Sequence, residues 1–224
     1  MTDRKIILFG LAGSKAYGLD TPDSDEDWRG VFVYPTDTIL GLPQFRGPET
    51  VDDTDHETVL HEVGKFVRLA LAGNPSIVEQ LFFPVYPTLT AEGGLLTHNR
   101  LAFLSQRVRQ TYGGYAVQQM RKLETRERQG MVGFGPKVTK RYEKHARHLG
   151  RLCQQGAQLL RDGTLDIRVK DRDELFALGT LPIEELREWF AAAMAEMDGI
   201  DSPLPKEPEY AVVNELLLEI RGMN

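Results

Sequence analysis

The sequence predicts an α/β unit of roughly 90 residues, more strictly α+β, followed by a helical second part. Three observations carry this. An apolar run from Ile6 stops at Gly13, as a short buried strand does. Asp27 to Val33, DWRGVFV, is rich in aromatic and β-branched residues and reads as a second strand. From Leu60 onward, apolar residues recur at helical spacing over most of the chain.

The elements follow in order. Residues 5–12 form the first strand, and Gly18 to Asp23, with Gly, Pro, Thr and Asp, forms a loop. Residues 35–49 hold three prolines and two glycines and read as irregular, and a third, shorter strand is expected near 55–59. Leu60, Val63, Val67, Ala70 and Leu71 lie on one face of a helix that Gly73 stops. Asn74-Pro75 then opens another helix, Asn as cap and Pro in the first turn. Helices resume near Asn99, interrupted at Gly130–Pro136 and Ser202–Pro208. A boundary near Pro84–Gly94 gives a core over 1–90 and a helical domain over 91–224.

Charge is unevenly distributed. Residues 1–99 hold 7 Lys and Arg against 15 Asp and Glu, a balance of −8. Residues 100–151 hold 13 against 3, a balance of +10, and residues 152–224 again 7 against 15. The net charge of −6 argues against a protein that coats nucleic acid. An acidic first part suited to metal ions precedes a basic middle suited to phosphates, although a basic helical face can equally be mere solvated surface. Cys153 is the only cysteine, which excludes a disulfide framework and a thiolate metal cage and makes a reducing cytoplasm the expected setting. No apolar run is long enough to span a membrane.

The informative stretch is GLAGSKAYGLDTPDSDEDWRGVFV, residues 10–33. A Gly13-Ser14 step leaving a buried strand can offer backbone N–H groups and a hydroxyl to a phosphate. On extended backbone, Asp25 and Asp27 project from one face. Two carboxylates so placed suit a pair of hard cations, Mg²⁺ or in its stead Mn²⁺. Each part alone has a plainer reading, Gly-Ser as a turn and the acidic triplet as a solvated loop. A calcium loop is excluded, because Trp28 and Tyr34 stand where such a loop needs Gly and Glu. Arg29 shares the face of Asp25 and Asp27 and suits either a carboxylate or a phosphate. Tyr17 packs into the local core or beside a nucleotide.

Gly-Ser followed after about ten residues by Asp-x-Asp resembles the signature of the DNA polymerase β nucleotidyltransferase superfamily. GSKAYGLDTPDSDEDWRGVF, with GKFVRLALAGNPSIVEQLF at 64–83, resembles one branch of it, the RNA-ligase-associated predicted nucleotidyltransferase family. The resemblance implies a polymerase-β-type core with a mixed sheet and a helical C-terminal domain, the active site between them. It implies transfer of a nucleoside monophosphate from a triphosphate to a hydroxyl, with pyrophosphate released and two Mg²⁺ ions assisting. Asp25 and Asp27 would bind both metals and Glu57 the third-ligand position, with Asp55 as its alternative. Gly13 and Ser14 would hold the β- and γ-phosphates. Glu79 matches a family position without an evident physical role. The acceptor implied is an RNA end, and an RNA ligase an associated partner. Transfer to a small molecule or protein, and a silent fold that only binds nucleotide or nucleic acid, are the rival readings.

The helix expected from Lys137 to about Arg161 places Val138, Tyr142, Leu149, Leu152, Gly156 and Leu160 on one side, at ~100° per residue. Lys140, Lys144, Arg147 and Arg151 fall on the other, with His148 at their edge and His145 near the apolar boundary. Lys140, Lys144 and Arg151 are the candidates for holding triphosphate or a nucleic-acid backbone.

Overall fold

The computed structural model describes residues 4–45, 47–129 and 136–223, and the side chains of Phe45 and 136–138 fall outside that description. The chain divides into two compact units, one of 1–104 with 207–224 and one of 105–206.

The first unit begins with β1 (Lys5–Ala12), which runs into a one-turn helix α1 (Gly13–Tyr17). After the loop come β2 (Asp27–Val33), the short α2 (Thr36–Leu40), β3 (Thr50–Asp53) and β4 (Thr58–Glu62). Helices α3 (Val63–Leu71) and α4 (Pro75–Val78) follow, then β5 (Thr88–Leu89) and α5 (Ala91–His98). The five strands form one mixed sheet in the order β3-β4-β2-β1-β5. Only β2 and β4 run parallel, and the other pairs are antiparallel.

Alternation along β2 sorts its side chains to two faces. Val31 and Val33 join Ile7, Leu8, Val63, Phe66 and Leu96 in the main core, while Phe32 packs with Tyr34 and Leu60 on the opposite face. The third strand lies at 58–62 rather than 55–59, and Leu60 belongs to it rather than to the helix. Leu60 stands three residues before Val63, so strand and helix periods coincide at the junction, and parallel pairing of Gly30 with Leu60 decides the outcome. The Glu62 carboxylate caps α3 by accepting from the Gly64 N–H at 2.7 Å. Gly73 adopts φ 71 just beyond the helix end, where glycine carries no Cβ penalty.

The second unit is a bundle of α6 (Val108–Arg128), α7 (Pro136–Asp162), α8 (Arg172–Leu178) and α9 (Ile183–Gly199). A Cβ on Gly156 of α7 would lie 2.9 Å from Tyr112 Cβ of α6, so the two helices approach closely. The interruption expected at Gly130–Pro136 falls, through residue 135, outside the described residues, as does the side chain of Val138. The expected solvated ridge on α7 holds only at its N-terminal end. Lys140 and Lys144 are exposed, Arg147 stacks on Phe176 at 4.4 Å, and Arg151 is 2 % exposed. Helix α8 packs along this side, its Leu175 and Leu178 pressing on Gly150 and its Phe176 under Arg147, whereas Arg151 turns to His148 and Gln155 of its own helix. No helix among the described residues is long and apolar enough to cross a membrane.

Finally α10 (Tyr210–Gly222) returns to the first unit. Its Val213 and Ile220 enter the main core, its Arg221 forms a buried ion pair with Glu62, and the Arg221 carbonyl accepts from Thr36.

Candidate active site

The acidic site is built at the junction where β1 becomes α1, beside the first residue of β2. Ala12 pairs with Asp27 in the antiparallel register, so the turn at Gly13 passes directly over Asp27. Gly13 has φ 65, and a Cβ built on it would lie 1.9 Å from Asp27 Oδ2. Glycine is thus required for both the backbone angle and the close approach. Ser14 follows as the second residue of the short helix.

Asp27 opens β2, whereas Asp25 precedes the strand on the exposed loop. Strand alternation therefore places Asp27 and Arg29 together but does not extend to Asp25. Asp27 is half-buried, and its Oδ1 accepts from Arg29 Nη2 at 3.3 Å. Arg29 is held from the other side by the carbonyls of Trp28 (2.8 Å) and Glu57 (3.1 Å). Asp27 and Arg29 continue the stripe of Val31 and Val33, so one sheet face is apolar under the helices and ionic at its end. Trp28, on the opposite face, stacks on Phe9 with ring centroids 5.1 Å apart.

Glu57 stands next to this pair through the backbone. Trp28 pairs with Thr58 in parallel register, and the Trp28 N–H donates to the Glu57 carbonyl at 2.9 Å. Glu57 adopts φ 45, the one described non-glycine residue with positive φ. Asp55 is not on a strand. It lies in a 3-10 turn, Thr54–His56, whose cap is the Asp53 side chain. The strand face expected for Asp55 and Glu57 together is corrected, because β4 starts only at Thr58 and neither residue lies on a strand. Among the described residues, no three His, Cys, Asp or Glu side chains converge closely enough to hold a metal ion by themselves.

Sequence reasoning left Tyr17 and Glu79 without a shared role, and the structure joins them. The Tyr17 hydroxyl bonds to Glu79 Oε2, and Glu79 is 1 % exposed. The signal was a glutamate inside the otherwise apolar PSIVEQLF, where a buried carboxylate requires a partner. Lys140, Lys144 and Arg151 all belong to the second unit. That unit also holds a cavity of about 490 Å³ lined by Gln154, Gln158, Asp166 and Trp189 among others, and no residue of the acidic site lines it.

A model of the RNA repair pathway DNA polymerase beta family, RlaP, matches residues 2–177. The chain belongs to this family. The RlaP match contains the Gly13-Ser14 turn, the acidic pair, β4, α3 and most of the helical unit. A 38.9 kDa protein encoded in the nrdC–mobD intergenic region of Enterobacteria phage T4 is 29% identical over 134 residues. That alignment covers 53% of this chain and 38% of the phage protein, so the chain matches well under two thirds of that relative's length. RlaP is a polymerase-β-type group, and the mixed sheet with Gly-Ser and acidic elements at neighbouring strand ends agrees with such a core.

Proposed function

We propose that this chain transfers a nucleoside monophosphate from a nucleoside triphosphate to a hydroxyl at an RNA end. The observation that carries the reading is the Gly13 turn seated on the Asp27 carboxylate, with Arg29 holding that carboxylate from the other side. The Gly13-Ser14 backbone, which this reading assigns to phosphate, thereby meets one acidic donor, Asp27. The RNA acceptor is supported by the family's place in an RNA repair pathway.

Each residue has a part. Gly13 and Ser14 offer N–H groups and a hydroxyl to the β- and γ-phosphates. Arg29, fixed by two carbonyls, orients Asp27 and keeps donors that a phosphate oxygen can share. The attacking hydroxyl oxygen forms a bond to the α-phosphorus, the bond to the pyrophosphate oxygen breaks, and the hydroxyl proton leaves to solvent. No protein nucleophile takes part.

The donor set fits Mg²⁺. Such an ion is held by one or two carboxylates completed by substrate phosphates, so a cage of three side chains is not needed beforehand. Asp25 and Asp27 would hold it and a second ion, with Glu57, whose backbone carbonyl accepts from Trp28 and Arg29, as the further carboxylate. When bound, the ions acidify the attacking hydroxyl and neutralise charge on the leaving phosphate.

One observation favours a second reading, a fold that binds nucleotide without catalysis: the lack of a three-ligand cluster among the described residues. Incubation with Mg²⁺, each labelled triphosphate and total RNA, resolved on a gel, decides between them. A labelled RNA band absent from an Asp27→Asn control supports transfer, and no labelled product with any triphosphate sinks it.

A further inference from the structure

Within the second unit, α6 and α7 present two facing polar stripes. On α6, Gln119, Lys122 and Arg126 follow helical spacing, and on α7 so do Arg141, Lys144, His145, His148, Arg151 and Gln155. His145 Nδ1 lies 3.0 Å from Gln119 Oε1, which sets one stripe against the other. His148 Nδ1 lies 3.1 Å from Arg151 Nη2. A guanidinium only donates, so that ring nitrogen accepts and His148 is neutral with its proton on Nε2. Arg151 also donates to Gln155 Oε1 at 2.6 Å.

The stripe has one sign. Among the described residues, Lys122, Arg126, Arg141 and Lys144 make no salt bridge and no side-chain hydrogen bond, unlike neighbouring cations of the same unit. Arg161 pairs with Glu196, Arg187 with Glu124 and Glu184, and Arg147 with Glu143. Residues 100–151 contain only three carboxylates, Glu124, Glu127 and Glu143, and two of them are engaged in these pairs away from the stripe. The charges that bear on His145 and His148 come from Lys122, Arg126, Arg141, Lys144 and Arg151 and are all positive. In a chain of net charge −6, a self-repelling row of this kind points to a polyanion as its counterpart. Its solvent-reaching cations are Lys122, Arg141 and Lys144, exposed, and Arg126, half-buried, more positive charge from two helices than a single phosphate needs, while the buried Arg151 braces His148 from behind. It offers cations and imidazoles, groups that meet phosphates and do not discriminate bases.

We propose that the α6–α7 stripe is the track for the phosphodiester backbone of an RNA strand, gripped without regard to sequence. The choice of RNA rests on the acceptor reading above, while the binding itself is tested without catalysis. The full chain is titrated against a fluorescein-labelled single-stranded oligoribonucleotide of mixed sequence, without metal or triphosphate, over a range of salt. Affinity should fall as salt rises, and a Lys122→Ala, Arg126→Ala, Arg141→Ala triple variant should bind on the order of tenfold more weakly or worse. Its slope of log affinity against log salt should be shallower by about 2, from ~0.7 for each lost charge on a single strand. ATP affinity of the variant should match wild type, and so should its melting profile, because these side chains lie at the surface.

Because binding is read without metal or triphosphate, a loss in the triple variant stands even if transfer is never observed, which separates a failure here from a failure of the transfer reading. Three results overturn the proposal. They are wild-type RNA affinity in the triple variant, a loss confined to ATP, and equal binding of a polyglutamate peptide of matched charge.

Discussion

The backbone of Gly13 lies so close to Asp27 that a Cβ at position 13 would sit 1.9 Å from the Asp27 carboxylate oxygen. Gly13→Ala therefore meets two obstacles, an unfavourable φ of 65 and a collision with Asp27 Oδ2. Because the carboxylate must swing away, transfer should fall below detection. Stability should drop by about 1–3 kcal/mol, the cost of a side chain in a sparsely populated backbone region. Labelled transfer and urea unfolding measure the two, and wild-type transfer by Gly13→Ala would refute the role of this contact.

Asp25→Asn and Asp27→Asn should both abolish transfer with the fold intact. The Asp27–Arg29 pair is partly exposed, so its loss costs at most about 1 kcal/mol. Circular dichroism that collapses in either variant would instead make the pair structural.

Glu57 and Asp55 separate by their backbones. Glu57→Gln should weaken transfer far more than Asp55→Asn, whose parent lies in the 3-10 turn. Glu57→Gly should also cost activity yet raise stability by about 1 kcal/mol, since glycine accepts φ 45 without a Cβ penalty. A Glu57→Gly variant that is both more stable and fully active would show that the carboxylate is not used.

Arg221→Ala should destabilise the first unit by about 3–5 kcal/mol, because it leaves the buried Glu62 charge without its partner. Replacing the pair together, Glu62→Gln with Arg221→Met, should recover part of the loss in thermal unfolding. No recovery would mean that the pair contributes through packing rather than charge.

Acid should weaken the second unit first. Burial, followed by the positive charges of Arg151, His145, Lys122 and Lys144, pushes His148 down to about 3 from 6.5. The unfolded chain thus takes up a proton near pH 6.5 that the native imidazole refuses. The stabilisation is whole above that pH and is lost as pH falls toward 3, reaching about 2 kcal/mol at pH 5. Urea midpoints at pH 7 and pH 5 should differ accordingly, and His148→Gln should flatten the dependence. An equal slope in that variant would assign the effect to other groups.

Much of this molecule follows from local pattern. The run to Gly13, the DWRGVFV strand and the long period of α7 are each decided by spacing within one segment, because a strand or helix buries whatever falls on its core face. Gly-Ser and the acidic pair are legible for the same reason, being contiguous and of distinctive chemistry.

Contacts between distant segments are not legible in this way. Leu60 suits strand and helix alike until it pairs beside Gly30, and Arg147 suits a solvated ridge until Phe176 of α8 stacks on it. Tyr17 finds Glu79 across 62 residues, and α10 returns to the first unit through the Arg221–Glu62 pair. Composition and periodicity along the chain determine which elements form and which side chains carry charge. Packing decides which of those charges meet water, which meet each other, and that the Gly13 turn closes on Asp27, because burial depends on what the rest of the chain lays over a residue.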